Sequence, residues 1–496
     1  MFLGLLNILW FVSLLSGVLH AEVGIPTEDL PNESMKPSNS WENINFQRRL
    51  EIANTYTSET FNIVAVNIAS EPVNQYFIPI PEDVFSTISM FNAGLKGRTT
   101  LLSTLVMPFA FETPQGDKVY YAIVEFPESI QPGEEIELIA RLFYTKTGVP
   151  YPKQISMGDE QQLTVFTNRY PLSPYHSREA AFYVIGDQQM EELNPPEDDT
   201  LKGEASEVQG GWKQLLFGPW ADVQPWTVSP VTVIYPHNLP IVDVKTLKRD
   251  IWVSHWASTL QVEEYYELMN NAAQLKDGFK RLDYYQQMQK NFFRGGPYIG
   301  TLSIPLPENS TDHYFTDKVG MVSTFRYSDN RLVLKPRFPI FGGWHYNFTI
   351  GWTLPLRQYL HSTEPSKSAL DPEISADADT YILAVPMLDG PVDTIYDKAE
   401  ISFILPEGIH LLDVSAPLQH VNASITPKFS YFDLQDGHVK VTFEFKNLIS
   451  ELGKGEIILK YQYSKTAFYR KPLSIAAYAF IALMGLFVFK SINLSV

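Results

Sequence analysis

The sequence contains no cysteine in 496 residues, and this absence excludes several classes of protein at once. Without thiols the chain can form no disulfide framework, thiolate zinc site, iron–sulfur cluster or cysteine nucleophile. Basic residues are also scarce, because 38 Lys and Arg stand against 56 Asp and Glu and the net charge is −18. Proteins that bind nucleic acid or anionic membrane surfaces usually show the opposite balance. The sequence therefore predicts no nucleic acid as a partner.

The common catalytic motifs are missing as well. There is no H-E-x-x-H, no G-x-S-x-G and no G-x-x-x-x-G-K-[ST], and these are signatures of zinc hydrolases, nucleophile elbows and phosphate loops. Asp377 and Asp379 form a D-x-D, which holds a divalent metal in many sugar-nucleotide transferases but is common by chance. His255, between Trp252 and Trp256, is more typical of a packed aromatic segment than of a sugar-stacking site. We predict no catalytic, cofactor-binding or metal-binding residue.

Aromatic residues, proline and glycine are abundant. Aromatic residues make up 13% of the chain, beside 35 Pro and 28 Gly, which is typical of short strands joined by turns. The length exceeds what a single core usually supports. Strand-like segments recur at 61–68, 119–126, 135–144, 231–235, 381–386, 400–405, 440–445 and 456–463. We predict a mainly β protein with two tandem sandwich-like domains at 43–236 and 237–468.

Three further stretches bear on this organisation. Residues 125–147 and 444–466 align without gaps and are identical at eight positions, so two related domains are plausible, with coincidence as the alternative. Residues 261–293 combine helix-forming residues with the turn signals Asn270-Asn271 and Asp277-Gly278, so helix and long strands both remain open. The acidic stretch 191–211 predicts a solvated loop or connector.

Both ends of the chain carry apolar segments that are typical of membrane targeting or anchoring. Residues 1–21 have the uncharged apolar run and small terminal residues of a secretory signal peptide, with an uncleaved anchor as the alternative. Residues 22–42 have the polar composition of a flexible leader.

The C-terminal apolar run at 473–489 is flanked by Arg470, Lys471 and Lys490 and reaches the lower limit of the about 17–25 residues that cross a bilayer. We predict one transmembrane helix there and a cytosolic tail at 490–496, with a GPI-anchor signal as the rival interpretation. Together with the signal peptide, this arrangement predicts a single-pass type I protein whose bulk is extracytosolic.

Four N-glycosylation sequons lie in the predicted extracytosolic body, at Asn32, Asn309, Asn347 and Asn422. We prefer Asn347, because it shares the more polar face of a predicted strand with His345 and Thr349. A fifth sequon at Asn493 would lie beyond the membrane span and remain unmodified.

The segment Pro336-Arg337-Phe338-Pro339-Ile340-Phe341-Gly342-Gly343-Trp344 resembles the signature of the ribophorin I family, a subunit of the eukaryotic oligosaccharyltransferase. Other segments resemble the family in the same order, at 144–152, 165–175, 253–279 and 404–408. The resemblance runs from about Asn43 to the membrane segment. Animal members extend far beyond that segment, so the short tail here is similar to the fungal form.

This resemblance implies an accessory subunit of the complex that transfers a preassembled glycan from dolichyl diphosphate to the Asn of N-x-S/T in nascent chains in the endoplasmic reticulum. The catalytic subunit of that complex carries a W-W-D motif and many spans, whereas no two of the nine tryptophans here are adjacent. The implied role is assembly and full activity of the complex, with engagement of acceptor polypeptides. The implied partners are the other subunits, including the polytopic catalytic one, nascent polypeptides, the translocon and membrane lipid.

The resemblance carries over no catalytic residue. We expect Gly342-Gly343 to permit a tight turn and Phe338, Phe341 and Trp344 to act as packing anchors. Two other functions remain open at this level. One is a membrane chaperone or cargo receptor of the endoplasmic reticulum, and the other is a metal-dependent glycosyltransferase that uses Asp377 and Asp379.

Overall fold

The structure, a computed structural model, describes residues 37–491 except residues 54, 147, 209, 291–294, 364–377, 419–420, 431–432 and 434–436. Its described part is mainly β, which confirms the predicted fold class. The predicted signal peptide, Asn32, Asp377, Asn493 and the last five residues of the tail lie outside the described residues.

The described strands fall into two sets, one on each side of residue 237. The first set is β1 (Trp41–Glu51), β2 (Thr57–Asn67), β3 (Val73–Pro81), β4 (Ile88–Leu95), β5 (Ser103–Val106), β6 (Phe111–Glu112), β7 (Lys118–Ile130), β8 (Glu135–Tyr144), β9 (Val149–Tyr151), β10 (Gln154–Ile155), β11 (Gln162–Asn168), β12 (Ser177–Gly186), β13 (Glu191–Glu192), β14 (Glu204–Glu207), β15 (Lys213–Val223) and β16 (Pro230–Pro236).

The second set is β17 (Val242–Ser254), β18 (Thr259–Asn270), β19 (Gln274–Leu275), β20 (Leu302–Pro305), β21 (Thr311–Asp317), β22 (Gly320–Met321), β23 (Phe325–Ser328), β24 (Arg331–Leu334), β25 (His345–Pro355), β26 (Leu360–Thr363), β27 (Ala378–Pro386), β28 (Ile395–Leu405), β29 (Ile409–Ser415), β30 (Asn422–Lys428), β31 (His438–Ile449) and β32 (Glu456–Ser464). Three α-helices are described, α1 (Glu82–Phe85), α2 (Arg281–Lys290) and α3 (Lys465–Ser491).

The two sets of strands repeat one topology. Sheet A1 has the order β4-β8-β2-β1-β12-β15-β14, and sheet A2 has the order β21-β25-β18-β17-β28-β31-β30, extended at one edge by β22. Sheets B1 (β3-β7-β5) and B2 (β20-β24-β23) correspond, as do sheets C1 (β9-β11-β16-β13) and C2 (β26-β27-β32-β29). The central first strand is parallel to its neighbour in both main sheets, β1 to β12 and β17 to β28. We call residues 41–236 repeat 1 and residues 242–464 repeat 2.

The internal sequence similarity does not align equivalent strands. Its first copy covers β7 and β8, which lie in sheets B1 and A1, and its second copy covers β31 and β32, which lie in sheets A2 and C2. By their positions in the sheets, β31 and β32 instead correspond to β15 and β16 of repeat 1. Both copies form strand, turn and strand as predicted, but the alignment itself is wrong because alternating strands of similar composition match in more than one register.

Several predicted boundaries need correction. Trp41 is fully buried in β1, so the flexible leader cannot extend to residue 42. Residues 261–293 contain both of the structures left open, because β18 ends at Asn270 and α2 begins at Arg281. The acidic stretch 191–211 contributes the short edge strands β13 and β14 within repeat 1. The helix α3 begins at Lys465, which removes 465–468 from the β region.

A buried arginine joins sheet A to sheet C in each repeat. Arg48, the eighth residue of β1, pairs with Glu59 of β2 and donates from Nη1 to the carbonyl oxygen of Asn168, at the end of β11, over 2.7 Å. Tyr144 donates to the same Glu59 over 3.1 Å. Sheet A1 and sheet C1 are therefore tied through a polar cluster inside an apolar layer.

The same device recurs in repeat 2. Arg249, the eighth residue of β17, pairs with Glu264 of β18 and with Asp389, 2.5 Å away, and it reaches the carbonyl of Pro386 at the end of β27. Arg249 and Glu264 have fully buried side chains. Desolvation by itself lowers the pKa of Arg249, but the carboxylates of Asp389 and Glu264 outweigh it and raise that pKa, so the guanidinium is charged.

We expect Arg249→Met to lower the free energy of unfolding by about 3–5 kcal/mol, because Glu264 is left buried without its cation. The measurement is denaturant unfolding of the full chain in detergent. The double variant Arg249→Met/Glu264→Leu should recover much of the loss, since it removes both charges. Arg178→Met, which breaks an exposed pair with Glu42, is the control and should change little. A single Arg249→Met variant as stable as the wild type would contradict this structural role.

Candidate functional site at the junction of the two repeats

The motif at 336–344 connects β24 to β25 and lies against the end of β18. Ile340 exchanges two backbone hydrogen bonds with Ile299, and the Gly343 amide donates to the carbonyl of Asn270 over 2.7 Å. Gly343 has φ +78, a left-handed conformation that glycine adopts without strain. The fully buried Asn270 side chain donates to the carbonyls of Pro297 and Ile340, each over 3.0 Å. Asn270 therefore holds the motif to the strand.

Gly342 is placed where no side chain fits. A Cβ at this position would lie 2.3 Å from the carbonyl oxygen of Ala272 and 2.2 Å from that of Ala273. Because both contacts are with backbone, neither can swing away. The motif thus packs backbone against backbone on the residues that follow β18.

Those same residues contact repeat 1. The Ala273 amide donates to Oε1 of Gln161 over 2.6 Å, and Gln161 donates to the carbonyl of His237 over 2.9 Å. The next residue, Gln274, begins β19, which pairs in parallel with β10 of repeat 1. A chain of direct contacts therefore runs from the motif, through Ala272 and Ala273, to repeat 1. The β10–β19 pair also joins one strand from each side of the predicted domain boundary at residue 236. The division into two domains therefore remains a prediction.

Aromatic rings cover the motif on the other side. Phe341 packs against Trp344 and Tyr298, with ring centroids 5.5 and 5.2 Å apart, and against Phe279 at 5.6 Å. Tyr284 of α2 contacts Phe341 at 6.0 Å. Phe338 differs, because it is 41% exposed and makes T-shaped contacts with Trp344 and Tyr346, with ring centroids 6.0 and 5.6 Å apart. The aromatic cluster joins α2 to the junction and leaves Phe338 accessible at its rim.

Arg337 holds the outer end of the motif. Its guanidinium lies 2.5 Å from the carboxylate of Asp317 and donates to the carbonyl of Met321 over 3.0 Å. Although desolvation by itself raises the pKa of Asp317, the hydrogen bond from Arg337 holds that pKa below its usual range. Arg337 is therefore a structural cation in an ion pair.

A second polar contact crosses the junction. Lys146 of repeat 1 lies 2.7 Å from Asp397 of repeat 2, and Lys245 lies 3.0 Å from the same residue. Lys245 also contacts Asp243, whose side chain is fully buried, at 2.5 Å. Two ammonium groups thus share two carboxylates where β17 and β28 approach repeat 1.

The apolar helix α3 is fastened to repeat 2 at its first turns. It follows β32 without a linker, and it is long and apolar enough to cross a membrane. The Trp256 indole stacks on Phe468 at 4.6 Å and donates to the Phe468 carbonyl over 2.8 Å. Lys471 lies 2.5 Å from the buried carboxylate of Asp433. These contacts fix the direction of the helix relative to the sheets.

His255, the sequence candidate for a sugar-stacking site, packs among aromatic side chains. His255 lies in the turn after β17, shares a 2.8 Å hydrogen bond with the Tyr461 hydroxyl and packs edge-on against Tyr381 at 4.9 Å. Burial lowers its pKa from 6.5 to about 4, so the imidazole is neutral. The structure therefore favours the packed-aromatic interpretation over a sugar-stacking site. Asp379 is exposed on β27, and the described residues contain no group of three His, Asp or Glu that could hold a metal ion.

The described sequons differ in accessibility. Asn309 is exposed in a loop with φ +63, and Asn422 is exposed on the edge strand β30. Asn347 lies on the more polar face of β25 as predicted, but it is half-buried and donates to the Tyr265 hydroxyl over 3.0 Å.

Sequence reasoning missed Gln161, Asn270 and Arg249. Asn270 was visible only as a turn signal, and a single Gln or Arg gives no periodic pattern. The two arginines share the eighth position of the first strand in each repeat, but that correspondence appears only after the strands are assigned.

Comparison with known proteins gives consistent similarities along almost the whole chain. The family model described as Ribophorin I matches residues 41–490. Dolichyl-diphosphooligosaccharide–protein glycosyltransferase subunit 1B of Arabidopsis thaliana is 28% identical over 82% of this chain and 83% of its own length. Subunit 1 of Schizosaccharomyces pombe is 26% identical over 86% and 90%. Subunit 1 of Caenorhabditis elegans is 24% identical over 92% and 73%.

We expect Gly342→Ala to weaken the junction, because the new methyl group would overlap the carbonyls of Ala272 and Ala273. The loss should be about 1–3 kcal/mol or more, as for overpacked sites. Gly94→Ala is the matched control, since its Cβ would lie 3.7 Å from the nearest atom, the carbonyl of Thr100. Thermal unfolding and the steady-state level of the two variants give the comparison. Equal stability of both variants would contradict the close approach at Gly342.

We expect His255 to make stability depend on pH. Its folded-state pKa is lowered, so the unfolded chain binds a proton first as the pH falls below 6.5. Its contribution is present above pH 6.5 and is lost as the pH falls toward 4, with a size on the order of 2–3 kcal/mol. In His255→Gln the free energy of unfolding should change less between pH 6.5 and pH 4 than in the wild type. In the control His410→Gln, at an exposed position, its dependence on pH should match that of the wild type. An unchanged pH profile in His255→Gln would refute the assignment.

Proposed function

We propose that this chain, which belongs to the ribophorin I family, is a non-catalytic accessory subunit of the oligosaccharyltransferase complex in protein N-glycosylation. The complex transfers a preassembled glycan from dolichyl diphosphate to the Asn of N-x-S/T in nascent polypeptides. One observation carries the proposal. The family match extends from the first residue of β1 into α3, and the relatives named subunit 1 align over most of both chains.

The non-catalytic role is supported by what the ionisable groups of the described residues do. His255 is neutral and packed among tyrosines, Arg337 is paired with Asp317, and Arg48 and Arg249 bind sheets together. Each of these groups has a structural task. We infer that this subunit contributes to assembly and full activity of the complex, while another, polytopic subunit performs the transfer.

We further propose a single-pass type I orientation in the endoplasmic reticulum membrane, with both repeats in the lumen. The signal-like residues 1–21 support export of the body, and the absence of a linker between β32 and α3 supports a body held close to the bilayer. In this orientation Asn309 and Asn422 offer the most accessible sequons of the described residues, and Asn347 offers a less accessible one. The partners we propose are the other subunits, membrane lipid, nascent polypeptides and the translocon.

Copurification tests the proposal. The tagged full chain, solubilised in mild detergent, should retain a polytopic glycosyltransferase, and its depletion should leave many glycoproteins underglycosylated. Absence of the transferase together with normal sequon occupancy after depletion would sink the proposal and favour a free chaperone or cargo receptor.

The paired variant Asp377→Asn/Asp379→Asn tests the metal-dependent alternative. We expect the complex that contains this variant to transfer glycan at the wild-type rate, because another subunit performs the chemistry. The measurement is transfer to an acceptor peptide by the purified complex. A variant complex that assembles normally but loses transfer would show that the carboxylates take part in catalysis.

A further inference from the structure

Repeat 1 contains an open cleft of about 700 Å³ between its three sheets. Its floor is sheet A1, represented by Phe61, Leu142 and Tyr144, and its side walls are the ends of sheets B1 and C1. The Arg48–Glu59 pair closes its deep end. The cleft is thus built on the same residues that tie sheet A1 to sheet C1.

The rim of the cleft exposes apolar side chains of sheet C1 and of the segment that precedes β16. Phe166 is 66% exposed, Val228 is 52% exposed and Val149 is 46% exposed. All three line the same cleft, and apolar side chains that are exposed together are typical of a binding surface. Glu82, Asp83 and Asp117 line the opposite rim with Lys118, so the rim is acidic as well as apolar.

Repeat 2 shows what fills the equivalent space. In the backbone register of sheet A1, Arg48 of β1 lies opposite Phe61 of β2, and Phe61 lies opposite Ala140 of β8. Leu142 lies two residues beyond Ala140 along β8. In the register of sheet A2, Arg249 of β17 lies opposite Glu264 of β18, and Glu264 lies opposite Ile350 of β25. Trp352 lies two residues beyond Ile350 along β25. Trp352 therefore occupies the position of Leu142, and its buried ring lies 5.8 Å from the guanidinium of Arg249.

The connection after this strand supplies the rest of the filling. Four residues join β25 to β26, and two of them, Leu356 and Tyr359, pack into the core shared by the sheets of repeat 2. The Tyr359 carbonyl accepts from Ala384 of β27 over 2.9 Å, and burial raises the pKa of Tyr359 to about 12. The connection from β8 to β9 is equally long, but Thr145 and Lys146 line the open cleft instead of filling it.

We propose that the cleft of repeat 1 binds an acceptor-polypeptide segment folded into a single turn, which inserts an aliphatic and an aromatic side chain three positions apart. Leu356 and Tyr359 fill repeat 2 with this spacing, and they lie on the same side because Leu356–Gln358 form a 3-10 turn that Tyr359 caps. The proposal rests on the proposed function and names the site at which that function engages polypeptide.

The lining favours side-chain recognition over strand addition. Pro79 and Pro81 lie in the edge strand β3 beside the cleft, so two of the backbone donors that an added strand would need are missing. The Phe61, Leu142 and Phe166 side chains offer apolar contact to the inserted side chains of such a segment.

Photocross-linking in the intact detergent-solubilised complex tests the proposal. Phe166→p-benzoylphenylalanine places the probe at the rim, and Val319→p-benzoylphenylalanine, at a position that is 80% exposed in repeat 2, is the control. Two dye-labelled peptides of equal charge carry the same N-x-T sequon followed by Leu-x-x-Tyr or by Ser-x-x-Ser. The rim probe should capture the Leu-x-x-Tyr peptide about tenfold more efficiently, which corresponds to about 1.4 kcal/mol, and the control probe should not discriminate.

Filling the cleft should abolish this preference. Leu142→Trp introduces the residue type that repeat 2 has at this position. Because Leu142 is buried, Thr164→Trp on the half-buried wall is the second variant. Val319→Trp is the matched control. Either filled variant that still copurifies with the complex should cut capture of the Leu-x-x-Tyr peptide about tenfold.

The outcomes separate this proposal from the proposed function. Equal capture of both peptides, unchanged capture by a filled variant, or cross-linking of Phe166 to another subunit or to glycan would overturn the cleft proposal while an assembled, active complex leaves the accessory role standing. A chain that fails to copurify with any transferase would instead remove the proposed function.

Discussion

A charged guanidinium buried between two sheets is the interaction on which each repeat depends. Arg48 and Arg249 occupy the eighth position of the first, central strand, and each reaches a carbonyl at the end of a strand in the facing sheet. With no cysteine in the chain, this cross-sheet contact must come from packing and polar pairing. A buried pair of this kind adds little net stability over an apolar core, but it specifies which strand ends meet. It lies in the space between sheets A and C of each repeat.

That space is used differently in the two repeats. In repeat 2, Trp352 and Tyr359 fill it and the sheets share one core. In repeat 1, Leu142 and Thr145 leave a cleft. A tandem β chain can thus keep one copy closed as a scaffold and leave the other open as a surface. The helix α3 extends from the closed copy, where the Trp256–Phe468 stack ties this apolar helix to repeat 2.

The junction converts two repeats into one body. Gly342 allows the motif to lie directly on the backbone that follows β18, and that backbone is bonded to Gln161 of repeat 1. The Lys146–Asp397 pair adds a second contact across the same boundary. The function proposed above requires such a fixed relation between the cleft and the apolar helix. In the described residues that relation runs from the cleft through the junction to α3.

Much of this protein could be determined from its sequence, because period-two alternation and apolar run length are local properties of the chain. They predicted the mainly β class and the C-terminal helix, and the motif at 336–344 indicated the family. The equivalence of β31 with β15, the two-part structure of 261–293 and the central position of Asn270 were decided by tertiary structure. The physical reason is that strand pairing and burial join residues distant in sequence: a lone Arg, Asn or Gly carries no local signal of the carbonyl it will meet across a sheet.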